Sequence, residues 1–297
     1  MKIMDSKELI LEYQAYLMEE GKVTSTIDSY VGDIRGFLEF LESKKVNFRG
    51  NLTRIYITTY KAYLTENGYT INTINKKINS LHSFNFFLVS KNLCTEKVVY
   101  PNKDKIKIAR GSEGEIEVFS DEEVQSILFH IEDRSKISLR DEGVLLILLY
   151  TGLRVGELVN LKIKDIDFLT RTLKVVGKGG KYREVPLKME VSEGIKEYME
   201  KERKNHKHSS SEYLFLTQRA GKMDKDTVNK ILNKQGRDLN LKMKHHKFSH
   251  TFCTRLLSKG VELTTVAKLA GHSTIQTTAT FYINTSREDK QQAVNLL

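Results

Sequence analysis

The stretch YPNKDKIKIARGSEGEIE, residues 100–117, divides the chain into two unlike halves. It contains one of only two prolines in 297 residues, and its apolar side chains follow no regular period. Such a segment is typical of a linker between domains. A chain of this length is also long enough for two domains, each with its own core. We therefore expect a first domain over residues 1–100, a linker over residues 101–116 and a second domain over residues 117–297.

The half before the linker has the pattern of a helical domain. Apolar side chains recur at helical spacing in four segments, the last of which covers residues 74–88. The fourth predicted helix also carries amide and amino groups, which suit phosphate oxygens and base edges. The candidate DNA-binding residues on it are Asn75, Lys76, Lys77 and Asn79. A polar face that only contacts water is the alternative interpretation.

The half after the linker mixes helices with a short β-structure. Ser120 and Glu123 have the spacing of a helix capping box, and RDEGVLLILLYTG predicts a buried helix that ends at Gly152. In TLKVV-GKGG-KYREVPL the apolar period shortens, which predicts two strands around a glycine-bearing turn. Helical patterns return from Asp224 onward. The predicted fold class is mainly α, with a small antiparallel β-sheet in the second domain.

Composition limits the functional classes. The formal net charge is +10, and Lys and Arg are spread along the whole chain. Such a surface suits a polyanion, most simply nucleic acid, although a basic charge that serves only solubility is equally compatible. Only Cys94 and Cys253 are present, which favours a reducing cytosol over a disulfide framework. The start has no signal-like apolar region and VLLILLY is too short to span a membrane, so we expect a cytoplasmic protein.

Four short motifs carry side chains that could do chemistry. In TGLRVGEL, residues 151–158, Arg154 lies between two helices, where it could meet an anion at a helix N-terminus. In the GKGGK turn, Lys178 has flanking glycines that let the backbone approach a ligand, and Lys181 is its rival. Each residue by itself is more often an ordinary surface charge.

The third motif is HHKFSHTF, residues 245–252, and its spacing has two interpretations. His246, His250 and Cys253 fall at i, i+4 and i+7, so one helix face could present them to zinc. No fourth ligand stands at a recognisable spacing, and histidine and phenylalanine packed in a core are commoner. No metal site is therefore predicted. The fourth motif, LAGHSTIQTTATFYIN, contains His272 and Tyr282, and a tyrosine by itself is usually part of a core.

In this order, the four motifs resemble those of the tyrosine recombinases, the lambda-integrase-like and Xer-type site-specific recombinases. The resemblance covers essentially the whole chain. It implies a two-domain DNA clamp with a catalytic domain that ends in the nucleophile. Matched position by position, it implies that the catalytic residues are Arg154, Lys178, His246, His272 and Tyr282.

The chain departs from the family pattern at two positions. The family's His-x-Leu-Arg-His motif falls on HKFSH, so Ser249 stands where a second catalytic arginine is expected. In many members the tyrosine lies nine residues after the histidine, where this chain has Phe281, and Tyr282 is one residue further on. The first departure predicts slow strand cleavage, because a serine is neutral and donates one hydrogen bond.

The resemblance implies a site-specific recombinase or integrase of a mobile element or chromosome, acting through a 3′-phosphotyrosyl intermediate. It implies duplex DNA as partner, a homo-tetramer on two DNA sites, no membrane and no cofactor. The rival from another class is a DNA-binding accessory or regulatory protein of the same fold that has lost cleavage through Ser249. A type IB topoisomerase is a third interpretation, which relaxation of supercoils without target preference would favour.

Overall fold

The fold comes from a computed structural model that describes residues 5–107, 116–177, 180–283 and 295, with residues 282 and 283 described in the main chain only. The chain forms two compact units, Met1–Glu113 and Gly114–Leu297. Each unit has its own apolar core.

The first unit is helical, as predicted. Its helices are α1 Ser6–Glu19, α2 Thr24–Ser43, α3 Arg54–Glu66, α4 Ile71–Ser90 and the single turn α5 Pro101–Asp104. The apolar faces of the four long helices meet in one core rich in aromatic rings, among them Tyr13, Phe37 and Phe84. Because each helix is amphipathic, packing of these faces supplies most of its stability.

Residues 101–107, which the sequence analysis assigns to the linker, pack against this first unit. Asp104 is 2% exposed, and its carboxylate accepts hydrogen bonds from Arg54 and from the backbone amide of Tyr100. The Asn75 side chain exchanges two hydrogen bonds with the backbone of Ile106, at 2.8 and 2.9 Å. These contacts involve polar side chains, and a search for apolar periodicity does not detect them.

The second unit opens with three helices that prepare the site. They are α6 Asp121–Glu132, α7 Leu139–Thr151 and α8 Val155–Leu158. Both hydrogen bonds of the predicted Ser120–Glu123 capping box are present at the start of α6. Helix α7 is buried on all sides over residues 144–149, and it ends at Gly152 with a left-handed φ of 63°. Glycine adopts this conformation without a steric penalty, so the chain can turn sharply into α8.

A small antiparallel sheet follows, with one strand more than predicted. Its strands are β1 Ile166–Asp167, β2 Thr172–Val176 and β3 Tyr182–Pro186, in the order β1-β2-β3. The prediction of two strands was incomplete, because β1 has only two residues and cannot show an alternating pattern. The turn between β2 and β3 is closed by the Gly177 amide, which donates to the Lys181 carbonyl at 2.7 Å.

Helices complete the second unit. They are α9 Met189–Glu197, which continues through a π-helical and a 3₁₀ segment to Asn205, then α10 Lys225–Asp238, α11 His245–Ser258, α12 Leu263–Ala270 and α13 Ile275–Ile283. A satellite apolar cluster that includes Cys253, Val266 and Phe281 holds α11, α12 and α13 together. The predicted mainly α class with a small antiparallel sheet is confirmed. Within the residues described, every helix lacks the length or the apolar character needed to cross a bilayer.

Candidate active site

Six positions are predicted to form the catalytic site when Ser249 is counted, and four of them line one cavity of the second unit. The cavity has a volume of about 1300 Å³, and its walls come from the α7–α8 turn, the β2–β3 hairpin, the start of α10, helix α11 and the segment from α12 to α13. The predicted residues that line it are Arg154, His246, Ser249 and His272. They come from three segments that are far apart in the sequence, and only tertiary packing brings them together.

Arg154 is the residue immediately before α8. Its backbone amide donates to a Glu157 carboxylate oxygen at 2.8 Å, which fixes the start of the helix. Its guanidinium Nη1 donates to the Gly271 carbonyl at 3.1 Å and lies 3.5 Å from the Glu157 carboxylate. The side chain is still 47% exposed, so part of its planar fork faces the cavity and can hold the two oxygens of an anion.

Glu157 and Arg183 form a buried ion pair behind Arg154, which the sequence analysis missed. The two terminal guanidinium nitrogens of Arg183, Nη1 and Nη2, donate to the carboxylate at 2.8 and 2.9 Å, and the side chains of Arg183 and Glu157 are 12% and 8% exposed. Burial would raise the pKa of Glu157, but the hydrogen bonds from Arg183 and from the Arg154 amide outweigh it, so the pKa lies below its usual value. The carboxylate is therefore ionised at pH 7, and the guanidinium of Arg183 balances its charge.

A signal for Arg183 was present in the sequence. Arg183 and Val185 are two apart in β3, so both point to the same face of the sheet. Val185 is buried, and a charge on an inward-facing position of a strand needs a partner. The partner itself, 26 positions away, could not be identified from the pattern.

The histidines of the cavity are held by their neighbours. His272 Nδ1 is hydrogen-bonded to Thr278 Oγ1 at 2.8 Å, and the Phe281 ring stacks on its imidazole at 5.9 Å and 9°. His250 Nδ1 donates to the Glu117 carbonyl at 3.3 Å. Burial lowers the pKa of His272 and of His250, and for His272 the nearby Arg154 lowers it further. Both imidazoles are therefore neutral at pH 7 and can donate or accept hydrogen bonds.

The side chains of HHKFSHTF do not fit zinc. The rings of His246 and His250 lie 5.5 Å apart, but Cys253 is fully buried in the apolar cluster. Burial raises the pKa of its thiol to about 12, which disfavours the thiolate that a metal requires. Across the described parts of the chain, no three His, Cys, Asp or Glu side chains gather as metal ligands.

The Ser249 hydroxyl donates to the Gly152 carbonyl at 3.3 Å.

Two predicted catalytic residues lie wholly or partly outside the described structure. Lys178 lies outside the described residues, although Gly177 and Lys181 beside it line the cavity. Tyr282 belongs to helix α13, of which Thr277 and Phe281 line the cavity, and its side chain lies outside the description.

The predicted DNA-binding residues of α4 also have internal contacts. Asn75 binds the backbone of Ile106, while the ammonium groups of Lys76 and Lys77 lie 3.1 and 3.4 Å from the buried Asp33 carboxylate. Asn79 is half-buried. Lys76 remains half exposed, so a role in DNA contact stays a prediction for this helix.

Comparison with known proteins places the chain in a family. Residues 117–289 match the model of the phage integrase family, and residues 10–92 match that of the phage integrase N-terminal SAM-like domain. The chain belongs to the phage integrase family. The family predicted from the ordered motifs is confirmed.

Curated relatives of this integrase-family chain carry the name tyrosine recombinase. It is 35% identical over 184 residues to tyrosine recombinase XerA of Pyrococcus furiosus, a match that covers 60% of the chain and 62% of that protein. It is 32% identical over 192 residues to tyrosine recombinase XerC of Staphylococcus epidermidis, covering 62% and 60% respectively. The matched region thus spans about three fifths of each relative's length.

Solved structures share the fold of this integrase-family chain along nearly its whole length. A lambda integrase dimer bound to a core site superposes with a TM-score of 0.71 at 15% identity, covering 96% of this chain and 97% of that one. The Tn1549 transposon integrase in complex with a circular intermediate DNA gives 0.69 at 20% identity, covering 97% and 99%. XerA recombinase gives 0.53 at 22% identity, covering 98% of both chains. At these identities the likeness establishes the fold alone.

Proposed function

We propose that this protein is a site-specific DNA recombinase or integrase that cuts and rejoins strands through a 3′-phosphotyrosyl intermediate on Tyr282. The observation that carries the proposal is the shared cavity. Arg154, His246 and His272 come from three distant segments, and they line it together with residues of the helix that contains Tyr282. Membership of the phage integrase family supports the same chemistry.

The proposed reaction transfers the DNA phosphoryl group from the 5′ oxygen of the next nucleotide to the phenol oxygen of Tyr282. The Tyr282 phenol oxygen attacks the phosphorus and the bond to the 5′ oxygen breaks. The leaving oxygen takes a proton, for which Lys178 is the proposed donor. Arg154 holds the nonbridging oxygens, while His246 and His272 donate hydrogen bonds or accept the phenol proton. The phosphotyrosyl bond keeps the energy of the broken one, so a second strand can reseal without ATP.

Duplex DNA is the proposed partner. The net charge of +10 favours a polyanion, and the lambda and Tn1549 integrases that share this fold were solved with DNA. Exchange between two duplexes cuts four strands, so we propose a homo-tetramer on two DNA sites. Asn75, Lys76, Lys77 and Asn79 are the proposed contacts of the first unit.

A second candidate function follows from Ser249. Its hydroxyl already donates to the Gly152 carbonyl, so it offers a phosphate little in place of a guanidinium. Loss of one preorganised donor costs about 3 kcal/mol, or at least roughly a hundredfold in rate. A protein so weakened would bind DNA as an accessory or regulatory subunit without cutting it.

Covalent trapping on a pool of randomised DNA separates these functions. The protein is incubated with nicked duplexes of randomised sequence, and adducts that survive detergent are isolated and their DNA sequenced. A recombinase gives an adduct that is enriched in one sequence and disappears in Tyr282→Phe. An adduct found only after Ser249→Arg would instead support the accessory protein.

Tyr182 provides the matched control. It lines the same cavity and is 55% exposed, and its hydroxyl donates to Glu184 at 2.6 Å. Tyr182→Phe should leave the adduct intact. If the adduct persists in Tyr282→Phe and is lost in Tyr182→Phe, the assigned nucleophile is wrong.

A further inference from the structure

The proposed reaction calls for a second cation beside Arg154, and position 249, where the resemblance places that cation, holds a serine. Attack on a phosphodiester adds negative charge to the phosphoryl oxygens, so a cation beside Arg154 stabilises the transition state more than the ground state. Helix α11 presents Ser249 at this point, and its hydroxyl is bound to the Gly152 carbonyl. The imidazoles of His250 and His272 are neutral at pH 7, because burial lowers their pKa. Lysine and arginine are the side chains that carry a full positive charge at neutral pH.

The cations of α11 and β3 are bound to carboxylates. The Lys247 ammonium lies 3.2 Å from Glu123 and over the Phe119 ring at 4.2 Å. Arg255 pairs with Asp121 at 3.2 Å. Arg183 also lines the cavity, but its Nη1 and Nη2 both donate to the Glu157 carboxylate. Lys244 lines a different cavity, together with residues of α10 such as Arg237.

Lys225, the first residue of α10, lines the cavity and has no ion-pair partner among the described residues. It is exposed and lines the same cavity as Ser249 and Arg154. Its Cε and Nζ lie 3.5 and 3.8 Å from the position that a Cβ on Gly156 would occupy, so its ammonium stands beside the first turn of α8. Within the described chain, no carboxylate lies at ion-pair distance from it. Its charge also acts on His245, the first residue of α11.

We infer that Lys225 supplies the second positive charge on the scissile phosphate, in place of the guanidinium absent at position 249. This inference rests on the proposed strand-cleaving function. Lysine is a weaker ligand than arginine here, because its ammonium is a point charge and makes no bidentate fork. Lys181 and Lys268 also line the cavity. Lys181 belongs to the hairpin of Lys178 and Lys268 belongs to α12, whereas Lys225 contacts the first turn of α8 at Gly156.

The test compares single-charge changes in one trapping assay. Adduct formation on the nicked, randomised duplex pool is measured for Lys225→Met, Lys225→Arg, Lys268→Met and Lys234→Met. Lys234 is the matched control, since it is an exposed lysine of the same helix that does not line the cavity. Binding of an intact duplex without cleavage is measured in parallel.

Lys225→Met should slow adduct formation roughly a hundredfold, while Lys225→Arg and Lys234→Met stay close to the parent. Intact-duplex binding should fall in Lys225→Met by no more than the loss of one phosphate contact, and Lys234→Met should bind like the parent. Adding Ser249→Arg to Lys225→Met should restore cleavage, which a merely structural lysine would not permit.

The remaining outcomes overturn specific statements. If Lys225→Met behaves like Lys234→Met, or if the loss falls on Lys268→Met, the inference about Lys225 is wrong and the proposed function stands. If only proteins with Ser249→Arg form an adduct, Lys225 does not replace the arginine. If no variant forms a covalent adduct, even with Ser249→Arg, the proposed function is wrong and so is the inference that rests on it.

Discussion

Glu157 is the residue on which the geometry of the cavity depends. Its carboxylate receives two hydrogen bonds from Arg183 and one from the Arg154 backbone, so it ties β3 to the start of α8. Arg183 in turn donates from Nε to the Leu269 carbonyl at 2.9 Å, near the end of α12. A single buried acid therefore links three of the segments that form the cavity wall.

Glu157→Gln should destabilise the protein by about 3 kcal/mol at pH 7, because it leaves the buried Arg183 guanidinium without a counter-charge. The measurement is urea unfolding of parent and variant. Glu193→Gln is the control, since Glu193 is exposed and should change the free energy of unfolding very little.

The same pair of proteins tests the pH dependence. The pKa of Glu157 is lower in the folded state than its ordinary value of 4.5, so its contribution is complete above that pH and declines as the pH falls towards the folded value. The difference between parent and Glu157→Gln should therefore shrink in acid. A difference that stays constant from pH 7 down to the acid transition would contradict the assigned ion pair.

At the scale of elements, the break between α7 and α8 decides where Arg154 lies. Gly152 has a left-handed φ of 63°, and a Cβ there would collide with the Phe252 ring of α11. The Gly152 carbonyl receives the Ser249 hydroxyl from the same helix. This glycine thus permits both the turn and the close approach of α11 to it.

Gly152→Ala should lower the free energy of unfolding by about 3 kcal/mol, of which about 1 comes from the left-handed backbone and the rest from the overpacked Phe252 contact. Gly260→Ala separates these contributions, because Gly260 also has a positive φ, of 79°, but open space around its Cβ position. It should cost only about 1 kcal/mol. Equal losses in the two variants in urea unfolding would mean that α11 does not pack tightly on this turn.

At the scale of the whole molecule, the chain is two units with separate cores, and the boundary between them can be tested by truncation. A fragment of residues 1–107 contains the complete aromatic core of the first unit and the Arg54–Asp104 pair, so it should unfold cooperatively in urea. A fragment of residues 1–100 ends at the boundary expected from the sequence and lacks Asp104 and Ile106.

The shorter fragment should be less stable by about 2 kcal/mol. It loses the charge-assisted hydrogen bonds between Arg54 and Asp104, and the half-buried Asn75 side chain loses both hydrogen bonds to the Ile106 backbone. The full-length Arg54→Met variant is the control for the ion pair alone. Equal stability of the two fragments would show that residues 101–107 are a linker after all.

The sequence by itself determined the helices of the first unit, the capping box of α6, the buried helix α7 with its stop at Gly152, and the β2–β3 hairpin. These features follow from local periodicity, capping and glycine conformation, which act over a few residues. The ordered motifs were also enough to identify the phage integrase family. The catalytic roles of Arg154, Lys178, His246, Ser249, His272 and Tyr282 remain predictions.

Only the tertiary structure decided which charges meet. The strand position of Arg183 indicated only that its charge needed a partner, and Lys225 looked like any first residue of a helix. In the structure, Arg183 neutralises Glu157, and Lys225 lies beside Gly156 without an ion-pair partner among the described residues. Lys247 and Arg255 lie close to Ser249 in sequence, yet their charges go to Glu123 and Asp121. The physical reason is that an ion pair depends on distance and burial between residues far apart in the chain, and no local pattern encodes either quantity.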